Sequence, residues 1–278
     1  KIRIVENPVA WLAAACLCIS FTGFAAEEKP ASAPAKARPG RSKASRGRAG
    51  KAEARPSIPA PTFSNVSYGP DESNVYDFWR APAGAPNPLL LIIHGGGFRA
   101  GSKSQVEPSL LQACLRAGIS VASIEYRFTQ KAPYPAQMRD CARALQQIRS
   151  KAVEYGIDPT RVASTGGSAG AGISLWLGFH EDLADPNNSD SIARQSTRLT
   201  CILPTQMQCT YDPRVIKTII PGNAYDVGPI KQLFGLPLTF NWDKDTVSPE
   251  VDKLIKDGSP LTHLTKDDAP VYAVNQTD

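Results

Sequence analysis

Five residues, Gly166-Gly167-Ser168-Ala169-Gly170, carry the most specific chemistry in the chain. A serine hydroxyl is a weak nucleophile until a base takes its proton, and it must stand clear of the backbone to reach a substrate. A strand that turns at once into a helix presents it that way. The serine backbone is then strained, and the residues two places to either side must be small. The context fits, because Arg161–Thr165 reads as a strand and Ala169–His180 as an apolar helix. The N–H of Ala169, at the helix start, would point to where an oxyanion develops. A second glycine cluster, His94-Gly95-Gly96-Gly97-Phe98, follows the apolar run Pro88–His94 directly. Consecutive glycines let N–H groups turn toward a substrate oxygen without side-chain obstruction. Ser168 is therefore the expected nucleophile. Gly95, Gly96, Gly97 and Ala169 are the expected oxyanion donors. His94 is expected to brace the loop by hydrogen bonds, not to transfer protons.

These loops need elements to hold them. Pieces around Val66–Tyr68 and Val75–Trp79 are strand-like. Pro88–His94 and Ser120–Tyr126 are continuous apolar runs, as expected of strands buried on both faces. Helices are predicted over Val106–Ala117, ended by Gly118, and over Ala136–Tyr155, ended by Gly156. Leu199–Leu203 and Ala269–Val274 read as further strands, and Pro221–Leu261 as irregular. Strand and helix alternate, so the fold class is α/β, a mostly parallel sheet with helices on both faces. Sites in such sheets form at the carboxyl ends of the strands, where both glycine motifs fall.

The formal net charge of +5 is concentrated outside this region: residues 29–56 hold nine Lys/Arg against one Glu. The remainder is close to neutral, so no nucleic-acid partner is expected. Residues 1–26 have the layout of a secretory signal peptide, with Lys1 and Arg3 ahead of a charge-free stretch from Val9 to Ala26. The protein is expected to be exported, periplasmic or secreted, or membrane-anchored if the segment is not cleaved. Residues 27–61 have few large apolar side chains and read as a disordered basic linker, capable of weak contact with an anionic surface. The hydrolytic domain is expected over 62–278. Four cysteines lie outside the leader, with no metal-ligand spacing. Cys114 and Cys141 fall on apolar helix faces, whereas Cys201 and Cys209 are close enough in sequence to pair.

Three segments together, His94–Phe98, Ile124–Leu145 and Tyr155–Gly172, resemble the hormone-sensitive-lipase-like carboxylesterases of the α/β-hydrolase superfamily and their carbohydrate-deacylating relatives. In the middle segment the shared features are Tyr126-Arg127, Tyr134-Pro135-Ala136 and Asp140. The resemblance implies an eight-stranded α/β-hydrolase sheet, no cofactor and no metal. It implies hydrolysis of small-molecule or polysaccharide esters through an acyl-serine, with an insertion over the site at 221–262. It also implies a triad in chain order serine, acid, histidine. Asp278 is the candidate acid, although Val274 and Asn275 stand where the family has His-Gly. Asp267 and Asp268 precede their strand, at the wrong end of the sheet. The only histidines are His94, His180 and His263, and none holds the family's place for the base. The expectation is that the C-terminal portion is missing and that the chain as it stands is inactive. Two rivals remain: a prolyl-oligopeptidase-like serine peptidase, and a catalytically inactive binding protein of hydrolase fold.

Overall fold

The computed structural model describes residues 57–82, 84 and 86–273. The leader, most of the linker and Asp278 lie outside the described residues. Among those described, no helix is long and apolar enough to cross a membrane.

Six strands form one sheet: β1 Phe63–Ser67, β2 Val75–Trp79, β3 Asn87–Ile93, β4 Ser120–Ile124, β5 Ile157–Gly167 and β6 Cys201–Thr205. Their order across the sheet is β1-β2-β4-β3-β5-β6. The first two pairings are antiparallel, and β4, β3, β5 and β6 run parallel. The parallel strands are the ones that carry the two glycine motifs. The predicted strand at Ala269–Val274 shortens to a parallel bridge between Val271 and Ile202.

Strand β3 shows why both sheet faces need cover. Leu89, Leu91 and Ile93 point to one face and Leu90 and Ile92 to the other, all buried. Leu90 and Ile92 pack with Trp79, Val121, Leu111 and Cys114, beneath helix α1, Pro108–Arg116. The opposite face is covered by α2, Ala136–Ser150, and α4, Ala169–Phe179. Every residue of α4 is buried, which is why its sequence is apolar all round. The predicted helix over Ala136–Tyr155 breaks at Lys151, leaving the short α3, Ala152–Tyr155, closed by Gly156 at φ 66.

Residues 221–261, predicted as irregular, contain α6 Gly228–Leu233, α7 Pro249–Gly258 and the start of α8 Pro260–His263; α5 is Pro213–Ile219. Proline at the start of each disguised them, since proline reads as a breaker but is well suited to a first helical turn. Two other expectations are corrected. Cys201 is a free thiol on β6, so it does not pair with Cys209. The end of the supposed linker, 57–61, lies along the domain: the Trp79 indole donates to Pro59 O at 2.8 Å and Gln112 Nε2 to Ser57 O at 3.0 Å.

Candidate active site

Ser168 stands between β5 and α4 with φ 52 and ψ −118. For a residue with a Cβ such a backbone costs about 1–3 kcal/mol. The surroundings hold it there. Its N–H donates to Thr205 O at 3.2 Å, and its carbonyl accepts from the Gly172 N–H at 3.0 Å. The neighbouring glycines are required by close backbone approach. A Cβ on Gly166 would lie 2.4 Å from Ile93 O, and one on Gly170 only 2.0 Å from the same oxygen. The carboxyl end of β3 therefore fits into a slot that only hydrogen atoms leave open. The serine remains half-buried, reachable from solvent.

The His94–Phe98 loop leaves that same end of β3 and lies against the serine. A Cβ on Gly95 would be 2.7 Å from Gly167 O and 3.7 Å from Ser168 Cβ. Gly96 and Gly97 have φ of 113 and 60, values that favour glycine. The Gly96 carbonyl accepts from the N–H groups of Arg99 and Ala100, at 3.1 and 3.2 Å. Among the described residues, the N–H groups of Gly95, Gly96 and Gly97 donate to nothing within the protein. Ala169 is the first residue of α4, so its N–H belongs to the turn that a helix leaves unpaired. Ser168, Gly95 and Ala169 thus lie together at the carboxyl ends of β3 and β5. Gly96 and Gly97 follow in the same loop.

His94 is a brace. Its Nδ1 lies 2.8 Å from Gly95 O and its Nε2 2.9 Å from Glu125 Oε1. The ring stacks on Tyr126, centroids 4.4 Å apart, and the Tyr126 hydroxyl donates to His94 O at 3.0 Å. Both nitrogens are engaged by oxygens, so neither is free to take a proton from Ser168. Burial disfavours ionisation of Glu125, but hydrogen bonds from His94 and the Lys103 N–H outweigh it and hold the carboxyl below its usual range. Arg127 adds a fork to Asp140, at 2.9 and 2.6 Å, which fixes the segment after β4.

Sequence reading did not single out Glu125 or Thr205. Glu125 had one signal, a lone acid closing an apolar strand run. Thr205 had none, because its contribution is a backbone carbonyl under Ser168 and an Oγ1 donated to Gly166 O at 3.2 Å. The insertion reaches the site through Pro229, whose Cγ lies 3.4 Å from where a Gly97 Cβ would sit. The Arg99 guanidinium donates to Gln232 Oε1 at 3.1 Å.

The structure brings no histidine to the serine. His180 caps the far end of α4, an 11-residue helix about 16 Å long at 1.5 Å per residue. His263 lies beside it, ring centroids 4.6 Å apart. Asp268 accepts from the Thr265 N–H at 2.5 Å and lies 3.8 Å from Arg198, away from the motif loops.

A mostly parallel sheet with helices on both faces, a strained serine at a strand–helix turn and a glycine loop beside it make up an α/β-hydrolase fold. The comparisons agree. Residues 77–212, which hold both glycine motifs, match the BD-FAE family model. Esterase LipQ of Mycobacterium tuberculosis is 33% identical over 129 residues, 43% of this chain and 31% of that protein. The probable carboxylic ester hydrolase LipM of the same organism is 26% identical over 222 residues, 76% of this chain and 46% of that protein. The chain therefore spans less than half the length of these two relatives. Among solved structures, a truncated carbohydrate esterase from gut microbiota superposes with TM-score 0.61 at 23% identity, covering 77% of this chain and 75% of that one. An acetyl ester-xyloside bifunctional hydrolase from Caldicellulosiruptor lactoaceticus gives TM-score 0.59 at 20% identity, covering 77% and 74%. The chain has the α/β-hydrolase fold and is similar, over the part they share, to esterases and carboxylic ester hydrolases.

Proposed function

We propose that the protein is a serine ester hydrolase acting on small acyl esters, carbohydrate esters among them. The observation that carries the reading is the placement of Ser168, held at φ 52 with Gly95 packed against it. Ser168 Oγ adds to the ester carbonyl. The charge that develops on the carbonyl oxygen is met by the N–H groups of Ala169, Gly96 and Gly97, with Gly95 shaping the turn. Loss of the alcohol leaves an acyl-serine, which water hydrolyses. The insertion meets this loop at Pro229, beside Gly97. The carbohydrate reading rests on the two solved neighbours named for such substrates.

The acid is assigned to Asp278, and the mechanism requires a histidine base, which the described residues do not bring to Ser168. The base must take the Oγ proton and return it to the leaving group. Without one, an oxyanion hole and substrate binding supply roughly 10³–10⁴ over water. The test measures hydrolysis of p-nitrophenyl acetate and acetylated xylooligosaccharides by the protein and by its Ser168→Ala variant. The substitution should abolish hydrolysis. If Ser168→Ala leaves hydrolysis unchanged, the serine assignment is wrong. If neither form hydrolyses esters, a binding role for the fold takes its place, because no histidine bonds Ser168 among the described residues. Export through residues 1–26 completes the proposal; an uncleaved N-terminus found in the cytoplasmic fraction would contradict it.

A further inference from the structure

The far end of the nucleophile helix carries a cluster that ester hydrolysis does not use. His180 closes α4, Asp257 lies in the last turn of α7, and His263 ends α8. Their potential ligand atoms all lie within 4.8 Å of one another. His180 Nε2 and His263 Nε2 are 3.8 and 3.9 Å from Asp257 Oδ1. We propose that His180, Asp257 and His263 form a binding site for a divalent transition metal of the zinc kind, tying the nucleophile helix to the insertion beside the active site.

Three features fit a ligand set better than an incidental contact. His180 has a backbone carbonyl to orient its outer nitrogen, with Nδ1 2.9 Å from Glu181 O, whereas His263 Nε2 is itself 2.7 Å from Asp257 O and must leave that contact to coordinate. The first contact fixes the tautomer that leaves Nε2 of His180 with its lone pair toward Asp257. Such outer bonds commonly accompany histidine ligands. The carboxylate is oriented as well, because the Tyr134 hydroxyl donates to Asp257 Oδ2 and leaves Oδ1 toward the two rings. Both rings are mostly shielded from solvent, so the cluster is not a loose surface contact. Two imidazoles and a carboxylate suit zinc, nickel or copper over magnesium or calcium. Bonds of about 2.1 Å in a tetrahedron bring ligand atoms to about 3.4 Å from each other, a contraction that side-chain rotation can supply. His263 also borders a cavity of about 710 Å³, which gives access and room for a water as fourth ligand. To coordinate, His263 would give up its Nε2 bond to Asp257 O and carry its ring proton on Nδ1 instead.

The site does not depend on the ester-hydrolase reading, because its readout is metal binding. Zinc chloride titrated into the purified chain, followed by calorimetry and thermal unfolding, should show one saturable site and raise Tm by about 4 °C or more. His263→Gln and Asp257→Asn should remove both effects. Cys201→Ser, which deletes a half-buried thiol elsewhere, should retain them. Cobalt absorption of the wild-type chain gives a readout that needs no variant to fold: intense visible bands of four-coordinate nitrogen and oxygen ligation are expected. Absence of saturable binding at millimolar zinc, or binding that survives both variants, overturns the proposal.

Discussion

The two ends of helix α4 are built on opposite plans. At its N-terminal end, Ser168 is positioned by sterics: Gly166 and Gly170 close on the Ile93 carbonyl, and hardly any side-chain hydrogen bond touches the turn. At its C-terminal end, His180 is positioned by polar groups and rings, with Trp176 at 4.1 Å between centroids and Glu181 O at 2.9 Å. The first end tolerates no added atom, because its contacts are backbone to backbone. The second can rearrange, because its contacts end in rotatable side chains. A nucleophile needs the first kind of support, since a 1 Å displacement spoils the attack geometry. A ligand cluster can use the second.

Gly170→Ala should show the largest effect. The new methyl carbon would sit 2.0 Å from Ile93 O, a main-chain atom inside the sheet. Helix propensity favours alanine by about 1 kcal/mol, far less than the separation of β3 from α4 would cost. We expect destabilisation of about 3 kcal/mol or more, or no folded protein, measured by urea unfolding. Normal stability would mean that the elbow is looser than these distances indicate.

Glu125→Gln comes next. It keeps the shape but removes the charge that holds His94, and should cost about 1–3 kcal/mol. Its pH behaviour gives the sign. The Glu125 carboxyl is held below its usual range in the folded chain, so its contribution is complete above the unfolded value of about 4.3 and is lost as pH falls through the lower folded value. Wild-type and variant stabilities should therefore converge in acid and separate above about pH 5. A gap that stays constant with pH would remove the charge from the explanation. Ser168→Gly is smaller and opposite in sign. Relief of the strain at φ 52 should stabilise the chain by about 1 kcal/mol while abolishing any activity that passes through Oγ.

How much of this was legible beforehand follows the same division. The N-terminal end of α4 could be read from sequence because sterics leave glycines, and glycines flanking a serine between a strand and a helix are a pattern in one dimension. The alternation of apolar runs likewise revealed β2, β3, β4 and the helices between them, with bounds off by a few residues. What could not be read depends on distant partners. Glu125 acts on His94 from another strand, and Thr205 acts through its carbonyl. His180 is far in sequence from Asp257 and His263, and the three meet only because α7 and α8 fold back onto α4. The proline-led helices of 221–261 were missed for a local reason, since the same residue starts a helix and interrupts one.

The sharpest test of the comparison repeats the first substitution at the other end of the same helix. Gly178 is also helical and also tightly packed: a Cβ there would lie 2.1 Å from Ile202 Cδ1 and 2.9 Å from Cγ1. By distance alone Gly178→Ala looks nearly as severe as Gly170→Ala. By mechanism it is not, because the obstructing atoms belong to an isoleucine side chain, which can rotate, and not to main chain. The off-rotamer cost of about 0.5–1.5 kcal/mol is set against about 1 kcal/mol gained in helix propensity, so stability should change by less than about 1 kcal/mol. Unfolding curves of the two variants side by side decide the matter. If Gly178→Ala is as damaging as Gly170→Ala, crowding itself sets the cost, and the contrast between a backbone-limited and a side-chain-limited end of the helix fails. A large gap between them would show that the elbow is rigid because its walls are main chain.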